Sequence, residues 1–367
     1  MNILEEIQNY PVEWKELGEV CSVNKGKQLN KNLLIDDGLY PAYNGGQTYS
    51  GRTNDYNVEA NTIIVSQGGA SAGFVNFVET KFWANAHCYY ILPDETQVKN
   101  RFVYHFLKMN QKYLMDFQHG AGIPALKSDK LTKLLIPVPP IKIQEKIVQI
   151  LDKFTEYVKE LTSELTSRKK QYSYYRDKLL SFEDEVYQVE WKKLGEVAEN
   201  LDSKRKPVAK GGRSSGVYPY YGASGIVDYV DDFIFDGDFL LVSEDGANLV
   251  VRKTPIAFSI SGKTWVNNHA HILKFDNMIN QKFVNYYLNN IDLSPYISGA
   301  AQPKLNQQNL NNIKIPYPSL EIQSRIVEVL DKFDTVCNDL NIGLPKEIEL
   351  RQKQYEYWRD QLFDFSK

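Results

Sequence analysis

Cysteine is scarce: three thiols, Cys21, Cys88 and Cys337, stand far apart and never in a C-x-x-C arrangement. This excludes a disulfide framework and a zinc knuckle and fits a reducing compartment. No stretch approaches the ~20 apolar residues of a membrane span, and Met1 to Tyr10 carries Glu5 and Glu6 where a signal peptide would be apolar. A soluble, unexported, cytoplasmic protein with no membrane contact is expected. Catalytic signatures are missing too. Neither a G-x-x-x-x-G-K-[ST] phosphate loop nor an Asn-Pro-Pro-Tyr methyltransferase pocket occurs, and Gly68-Gly-Ala-Ser-Ala-Gly73, lacking the lysine a nucleotide would need, reads as a tight turn. Glu13-Trp-Lys15 and Glu190-Trp-Lys192 match the E-x-K fragment of metal-dependent nucleases without an upstream Pro-Asp, so they read as surface charge beside a buried Trp. No catalytic residue, no metal site and no cofactor of its own are expected in this chain.

An excess of positive charge is absent as well: 43 Lys and Arg face 46 Asp and Glu, for a net charge of -3. Any phosphate-binding surface must therefore be local. Ser203 to Arg213 supplies the best such stretch, with Lys204, Arg205, Lys206, Lys210 and Arg213 and no acidic residue; Lys25, Lys27 and Lys31 form a weaker one.

What the sequence does contain is itself, twice. Glu13-Trp-Lys-Glu-Leu-Gly-Glu-Val20 returns as Glu190-Trp-Lys-Lys-Leu-Gly-Glu-Val197, and Gly38-Leu-Tyr-Pro-Ala-Tyr43 returns as Gly216-Val-Tyr-Pro-Tyr-Tyr221. Ile63 to Ser66 matches Leu240 to Ser243, Trp83-x-Asn-x-His87 matches Trp265-x-Asn-x-His269, and Ile136-Pro-Val-Pro139 matches Ile315-Pro-Tyr-Pro318. A helical tail follows each half, with Leu151-Asp-Lys-Phe154 against Leu330-Asp-Lys-Phe333 and Arg168 to Phe182 against Arg351 to Phe365. The halves differ most between these markers, as in Gln67 to Phe77 against Glu244 to Thr254. A scaffold kept twice with different loops suggests one task performed on two targets, because loops on a rigid frame carry recognition.

Within each half, short apolar runs such as Asn61 to Ser66, Gly73 to Val78 and His87 to Leu92 alternate with Gly, Asn and Asp clusters and read as strands. Asn100 to Asn110 and Lys282 to Asn290 have helical spacing. Past Pro137 and Pro139 the period changes. Leu151, Val158, Leu165, Tyr172 and Leu179 fall seven apart, interleaved with Ile147, Phe154, Leu161, Arg168, Tyr175 and Phe182, which is an a/d seam broken at Arg168. The second copy supplies Leu330, Phe333, Cys337 and Leu340, then Tyr355, Trp358, Leu362 and Phe365; four extra residues around Gly343-Leu-Pro345 should break that helix. A helix of about forty residues spans ~60 Å; with DNA rising ~3.4 Å per base pair, such a rod could act as a ruler between two readers. The expected fold is α+β: two β-rich target-recognition domains, 1–142 and 183–319, separated by two long helices, 143–182 and 320–367, that pair as an antiparallel coiled coil.

This order resembles the specificity subunits of Type I restriction-modification systems over essentially the whole chain. The resemblance rests on the Glu-Trp-x-x-Leu-Gly-Glu-Val openings, the Tyr-Pro-x-Tyr turns, the Ile-Pro-x-Pro exits and the Ile-Gln-x-x-Ile-Val-x-x-Leu-Asp-Lys-Phe helix starts, each present twice in register. It implies that each globular domain reads half of a split, asymmetric double-stranded DNA site. It also implies that the helices dock two modification subunits, which bring S-adenosylmethionine and methylate adenine, and that restriction and translocase subunits can join. The alternative is a stand-alone DNA-binding protein that dimerises through its helices. From side-chain chemistry, Lys25, Lys27, Arg52, Lys127, Lys204, Arg205, Lys206, Arg213 and Lys304 are candidate phosphate clamps, and Asn44, Gln47, Gln67, Ser243, Asn306 and Gln307 candidate base readers. His87 and His269 read as hydrogen-bonded structural residues.

Overall fold

The computed structural model describes residues 3–8, 10–116, 125–182, 189–299 and 302–365. In chain order, strands Cys21–Lys25 (β1), Thr62–Ser66 (β2), Val75–Val78 (β3) and Cys88–Pro93 (β4) precede helix Asn100–Met109 (α1) and the 41-residue helix Ile141–Ser181 (α2). The second half follows with Glu199–Asn200 (β5), Phe239–Ser243 (β6), Ala257–Ile260 (β7), Ala270–Lys274 (β8) and helices Met278–Asn290 (α3), Leu320–Asn338 (α4) and Leu344–Leu362 (α5). Every residue of β2 and of β6 is buried. Their runs, Thr-Ile-Ile-Val-Ser and Phe-Leu-Leu-Val-Ser, are apolar on both pleat faces, as a central strand covered on both sides must be.

The chain forms two compact units, Met1–Ser163 with Lys346–Lys367, and Glu164–Pro345. Unit one holds a four-stranded antiparallel sheet of order β1-β4-β2-β3, and unit two a sheet of the same order, β5-β8-β6-β7. A smaller sheet accompanies each, in which Tyr40–Tyr43 lies parallel to Trp83–Ala84 and Ser215–Gly222 lies parallel to Lys263–Val266. The Tyr-Pro-x-Tyr segments are therefore strands rather than the expected turns. Pro41 and Pro219 are accommodated because the parallel partner begins one residue later, at Ala42 and Tyr220, so no ladder bond is asked of the proline nitrogen. Each Glu-Trp-Lys opening pairs with the Ile-Pro-x-Pro exit as a ribbon, Trp14 opposite Pro137 and Trp191 opposite Pro316. Both tryptophans are about half exposed, 49% and 50%, which overturns the expectation that they are buried.

The same parts serve each unit in permuted order. In unit one, sheet, α1 and the start of α2 are completed by α5 and the residue that follows it: Tyr355, Leu362 and Phe363 join Ile143, Ile147 and Leu151 in one core. In unit two, the end of α2 comes first: Leu180 packs with Ile326, Val327 and Leu330 of α4 and with Phe283 and Leu288 of α3. There Tyr172 and Tyr175 stack on Phe333 at centroid distances of 6.0 and 5.7 Å, while Cys337 lies within electrostatic reach of Arg168 and Lys169. Positions 326 to 330 pack with 180 and position 333 stacks on 172 and 175, so α2 and α4 run antiparallel there. The seam is shallow: Phe154, Val158, Leu161, Leu165, Tyr172 and Leu179 are half buried and Tyr175 is exposed, whereas Leu151 and Leu180 are fully covered. Trp358 and Phe365 pack part-buried on the first core. The distal helix is broken between Asn338 and Leu344, as Gly343-Leu-Pro345 requires. A Cβ on Gly343 would meet the carbonyl oxygens of Thr335 and Asp339 at 2.4 and 2.6 Å. Leu340 falls in that break and is 71% exposed, so it is not a seam residue.

Burial also costs unit one something. Lys108 of α1 donates to Val75 O at 3.0 Å and Gln111 Oε1 at 2.8 Å, with its ammonium 4.4 Å from the Phe74 ring centroid. Desolvation, helped by nearby Arg359, pulls its pKa down to about 8. Between that value and the ordinary lysine value the folded chain has lost a proton that the unfolded chain keeps, so stability rises with pH across the window, by up to about 1 kcal/mol per pH unit. We expect Lys108→Met to flatten this rise in chemical denaturation of unit one. Cys21 and Cys88, whose buried thiols are pushed up to about 12 and about 11, produce an opposite drift common to both proteins. A wild-type minus variant difference that is flat from pH 8 to 10 would contradict the assignment.

Candidate nucleic-acid interface

The ends of β1 and β2 and the starts of β3 and β4 lie at one edge of the first sheet, and the loops leaving them are laced together. Gly26 N donates to Cys88 O and Lys27 N to Ala84 O, both at 2.9 Å, and Trp83 Nε1 donates to Lys27 O at 2.8 Å. A Cβ on Gly26 would sit 2.2 Å from Asn85 O, so only glycine permits this approach. Gln67 N bonds His87 O, Leu126 N bonds Gln67 O, and Tyr89 Oη donates to Leu126 O at 3.2 Å. Ser66 Oγ donates to Gly46 O at 3.1 Å and Asn76 Nδ2 to Gln47 O at 2.7 Å, drawing in the 44–47 loop. Exposed Lys25, Lys27, Asn44, Gln47 and Lys127, half-buried Gln67 and exposed His87 are thereby gathered at one edge.

Unit two repeats the lacing with different side chains. Trp265 Nε1 donates to Lys206 O at 2.7 Å, Glu244 N to His269 O at 2.9 Å, Leu305 N to Glu244 O at 2.8 Å, and His271 Nε2 bonds Leu305 O at 2.6 Å. This gathers Lys204, Lys206, Lys304, Gln307 and His269, all exposed. Gln307 Nε2 donates to Asn200 Oδ1 at 2.9 Å, and His269 Nδ1 lies 2.8 Å from Asp245.

Five candidates have their polar atoms committed inside the protein. Arg205 bonds Glu244 Oε2 at 2.6 Å, Ala270 O at 2.7 Å and Asp202 O at 3.1 Å; a guanidinium so enclosed is a strut rather than a clamp. Arg213 pairs with Asp228 at 3.0 Å, donates to Val208 O and lies over the Tyr220 ring. Arg52 ties Gly38 O and Leu39 O. Ser243 is 1% exposed and donates to Ala223 O. Asn306 Oδ1 accepts from Asn309 N and caps the short helix Gln307–Asn311.

Two polar groups went unforeseen. Asp152 of α2 accepts from Arg101 Nε and Nη2 at 3.0 and 2.5 Å and from His105 Nε2 at 2.7 Å, and His105 Nδ1 in turn faces Tyr355 Oη at 3.0 Å. Burial pulls the His105 pKa down, so its neutral ring donates from Nε2 and accepts from Tyr355. Burial would raise Asp152, but the bonds from His105 and Arg101 outweigh it and hold the carboxyl below its usual value. In unit two Asp331 likewise accepts from Lys282 at 2.6 Å and Tyr286 at 2.7 Å. The repeated Leu-Asp-Lys-Phe was the available signal. The second group is Asp202, Glu244 and His271, whose ligand atoms lie close enough together for a metal ion. Their charges are already answered: Arg205 and Lys304 pair with Glu244 at 2.6 and 3.1 Å, and His271 Nδ1 lies 2.6 Å from Asp202 Oδ2. A divalent ion would have to displace these cations. Burial would raise both carboxyls; the bonds from His271 to Asp202 and from Arg205 to Glu244 overcome it and lower them.

Residues 11–168 and 188–350 each match the profile of the Type I restriction modification DNA specificity domain. The chain is 32% identical over 405 aligned residues, spanning 100% of it and 98% of the relative, to the Type I restriction enzyme EcoR124I/EcoR124II specificity subunit of Escherichia coli. It is 34% identical over 260 residues, 66% of this chain and 91% of the relative, to a putative type I specificity subunit of Mycoplasma pneumoniae. Among solved structures it resembles the S subunit of a Type-I restriction-modification system from M. genitalium, with a TM-score of 0.69 at 24% identity over 97% of this chain and 96% of that one. At that identity the likeness is one of fold. Among the described residues, no helix is long and apolar enough to cross a membrane.

Proposed function

This chain belongs to the Type I restriction modification DNA specificity family, and from that premise we propose that each of its units reads one half of a bipartite, asymmetric double-stranded DNA site. The chain is a recognition subunit. Two adenine-methylating modification subunits dock on it, supply S-adenosylmethionine and perform the chemistry; restriction and translocase subunits join the same assembly in the cytoplasm. One observation carries this reading: the sheet-edge lacing is the same in both units, whereas the exposed side chains it gathers differ, Lys25, Asn44, Gln47 and Lys127 in one against Lys204, Lys304 and Gln307 in the other. One frame with two faces suits two unlike half-sites.

Methylation by the complex reconstituted with its modification subunits tests it. Lys206→Ala, removing an exposed cation whose main chain is held by the Trp265 bond, should weaken binding to all sequences alike and reduce the salt slope by about 1. Gln67→Ala should instead relax a single position of the first half-site, by about 1–3 kcal/mol of discrimination. Indifference of the methylation map and of the salt slope to both substitutions would refute the assigned surfaces.

A further inference from the structure

The two sheet edges are held by different physics. In unit one the segment at Leu126 is tied by a neutral bond from Tyr89 and by Gln67 main chain. At the matching places unit two has His271 and Glu244, and its strap, Pro303–Gln307, whose Lys304 bonds reciprocally with Ser298 at 2.8 Å, is tied by charge. Glu244 is the hub. Only 8% exposed, it takes Arg205 from the loop after β5 on one oxygen and Lys304 from the strap on the other, with the His271 ring nitrogen at 3.9 Å. Asp202 completes the group through His271 and the Ile272 amide. Burying ions costs more than a neutral packing of similar shape, and this protein has a neutral version at its other edge. Stability alone therefore gives no reason for the charges. What the ions add is position: two segments, one carrying Lys204 and Lys206 and the other Gln307, are tied to one carboxylate with fixed geometry.

We propose that Glu244 and its partner Lys304 are positioning residues for the second half-site, holding the Leu201–Lys206 loop and the Pro303–Gln307 strap in register for reading without touching DNA themselves. The inference rests on the DNA-reading function proposed above. It also separates Lys304 from the phosphate clamps, since its ammonium is directed to Glu244 at 3.1 Å.

The test uses the full chain assembled with its modification subunits, and methylation of duplex libraries varied in each half-site. Glu244→Gln should cut discrimination at second half-site positions about tenfold, the loss of one charged bond, leave the first half-site unchanged and leave the salt slope unaltered. In the DNA-free chain the amides of Lys304 and Leu305 should exchange faster. Lys304→Met, at a half-exposed side chain that folding tolerates, should reproduce the pattern, and it decides the matter should the Glu244 variant fail to fold. A Lys304→Met protein that binds every sequence more weakly with a reduced salt slope would make Lys304 a phosphate contact and overturn the proposal. So would unchanged discrimination in both variants. A wild-type complex indifferent to all duplexes would instead refute the DNA-reading function itself.

Discussion

A chain ending at Gly343 should lose the fold of its first unit and keep that of its second. The truncation removes α5, and with it Tyr355, Leu362 and Phe363, which are 3%, 0% and 4% exposed. Phe363 sits 4.9 and 5.7 Å from the rings of Phe102 and Phe106, so its loss opens the centre of the first core. Three such side chains contribute about 2–3 kcal/mol each on burial, a sum comparable to the ~5–15 kcal/mol that holds a whole domain together. His105 would also lose its Tyr355 partner while remaining buried. Hydrogen exchange provides the check. Protection of the Ile63–Val65 amides should collapse and that of Leu240–Val242 should persist; equal protection in both strands would contradict the division into permuted units.

Asp152→Ala should destabilise unit one by about 3–5 kcal/mol, because it strips the acceptor from a buried imidazole and a guanidinium at once. Arg101 lies between the Phe77 and Tyr104 rings, at 4.4 and 4.7 Å, and would keep only those contacts. The matched Asp331→Ala should cost unit two about 1 kcal/mol, since its lysine partner is 40% exposed and can turn to water. Unfolding of each unit, followed by site-resolved exchange, measures the two losses. Equal losses would mean that the buried histidine is not what makes the first clamp expensive to break.

Much of the architecture could be read from residue order alone. The duplicated markers located both sheets, and the strands at Asn61 to Ser66 and His87 to Leu92 and the helix from Asn100 lie within a residue or two of their expected places. Gly343-Leu-Pro345 announced the break in the distal helix. Residue order could not show the depth of the seam, since heptad spacing reports which face is apolar and not how much of it a partner covers. Nor could it show the half-exposed Trp14, whose neighbour across the ribbon is a proline 123 positions away. Among the candidate recognition residues, Lys25, Lys27, Lys127, Lys204 and Lys206 lie exposed at the sheet edges. Arg205 sits between two of these lysines in sequence and yet is turned inward, because Glu244, 39 residues further on, lies beneath it. A charge run is legible locally; the carboxylate that claims one member of it is a property of the fold.

The permuted order also sets a timetable for synthesis. The first unit's core closes on side chains, Tyr355 to Phe363, that leave the ribosome about 260 to 270 residues after its own sheet, which ends at Pro93, has been made, with all of the second unit translated in between. The Phe102 and Phe106 surface must wait, uncovered, for Leu362 and Phe363. Contacts of such separation are slow to form and leave apolar surface available to wrong partners in the interval. The second unit faces no comparable delay, so its folding should be the earlier event in each newly made molecule.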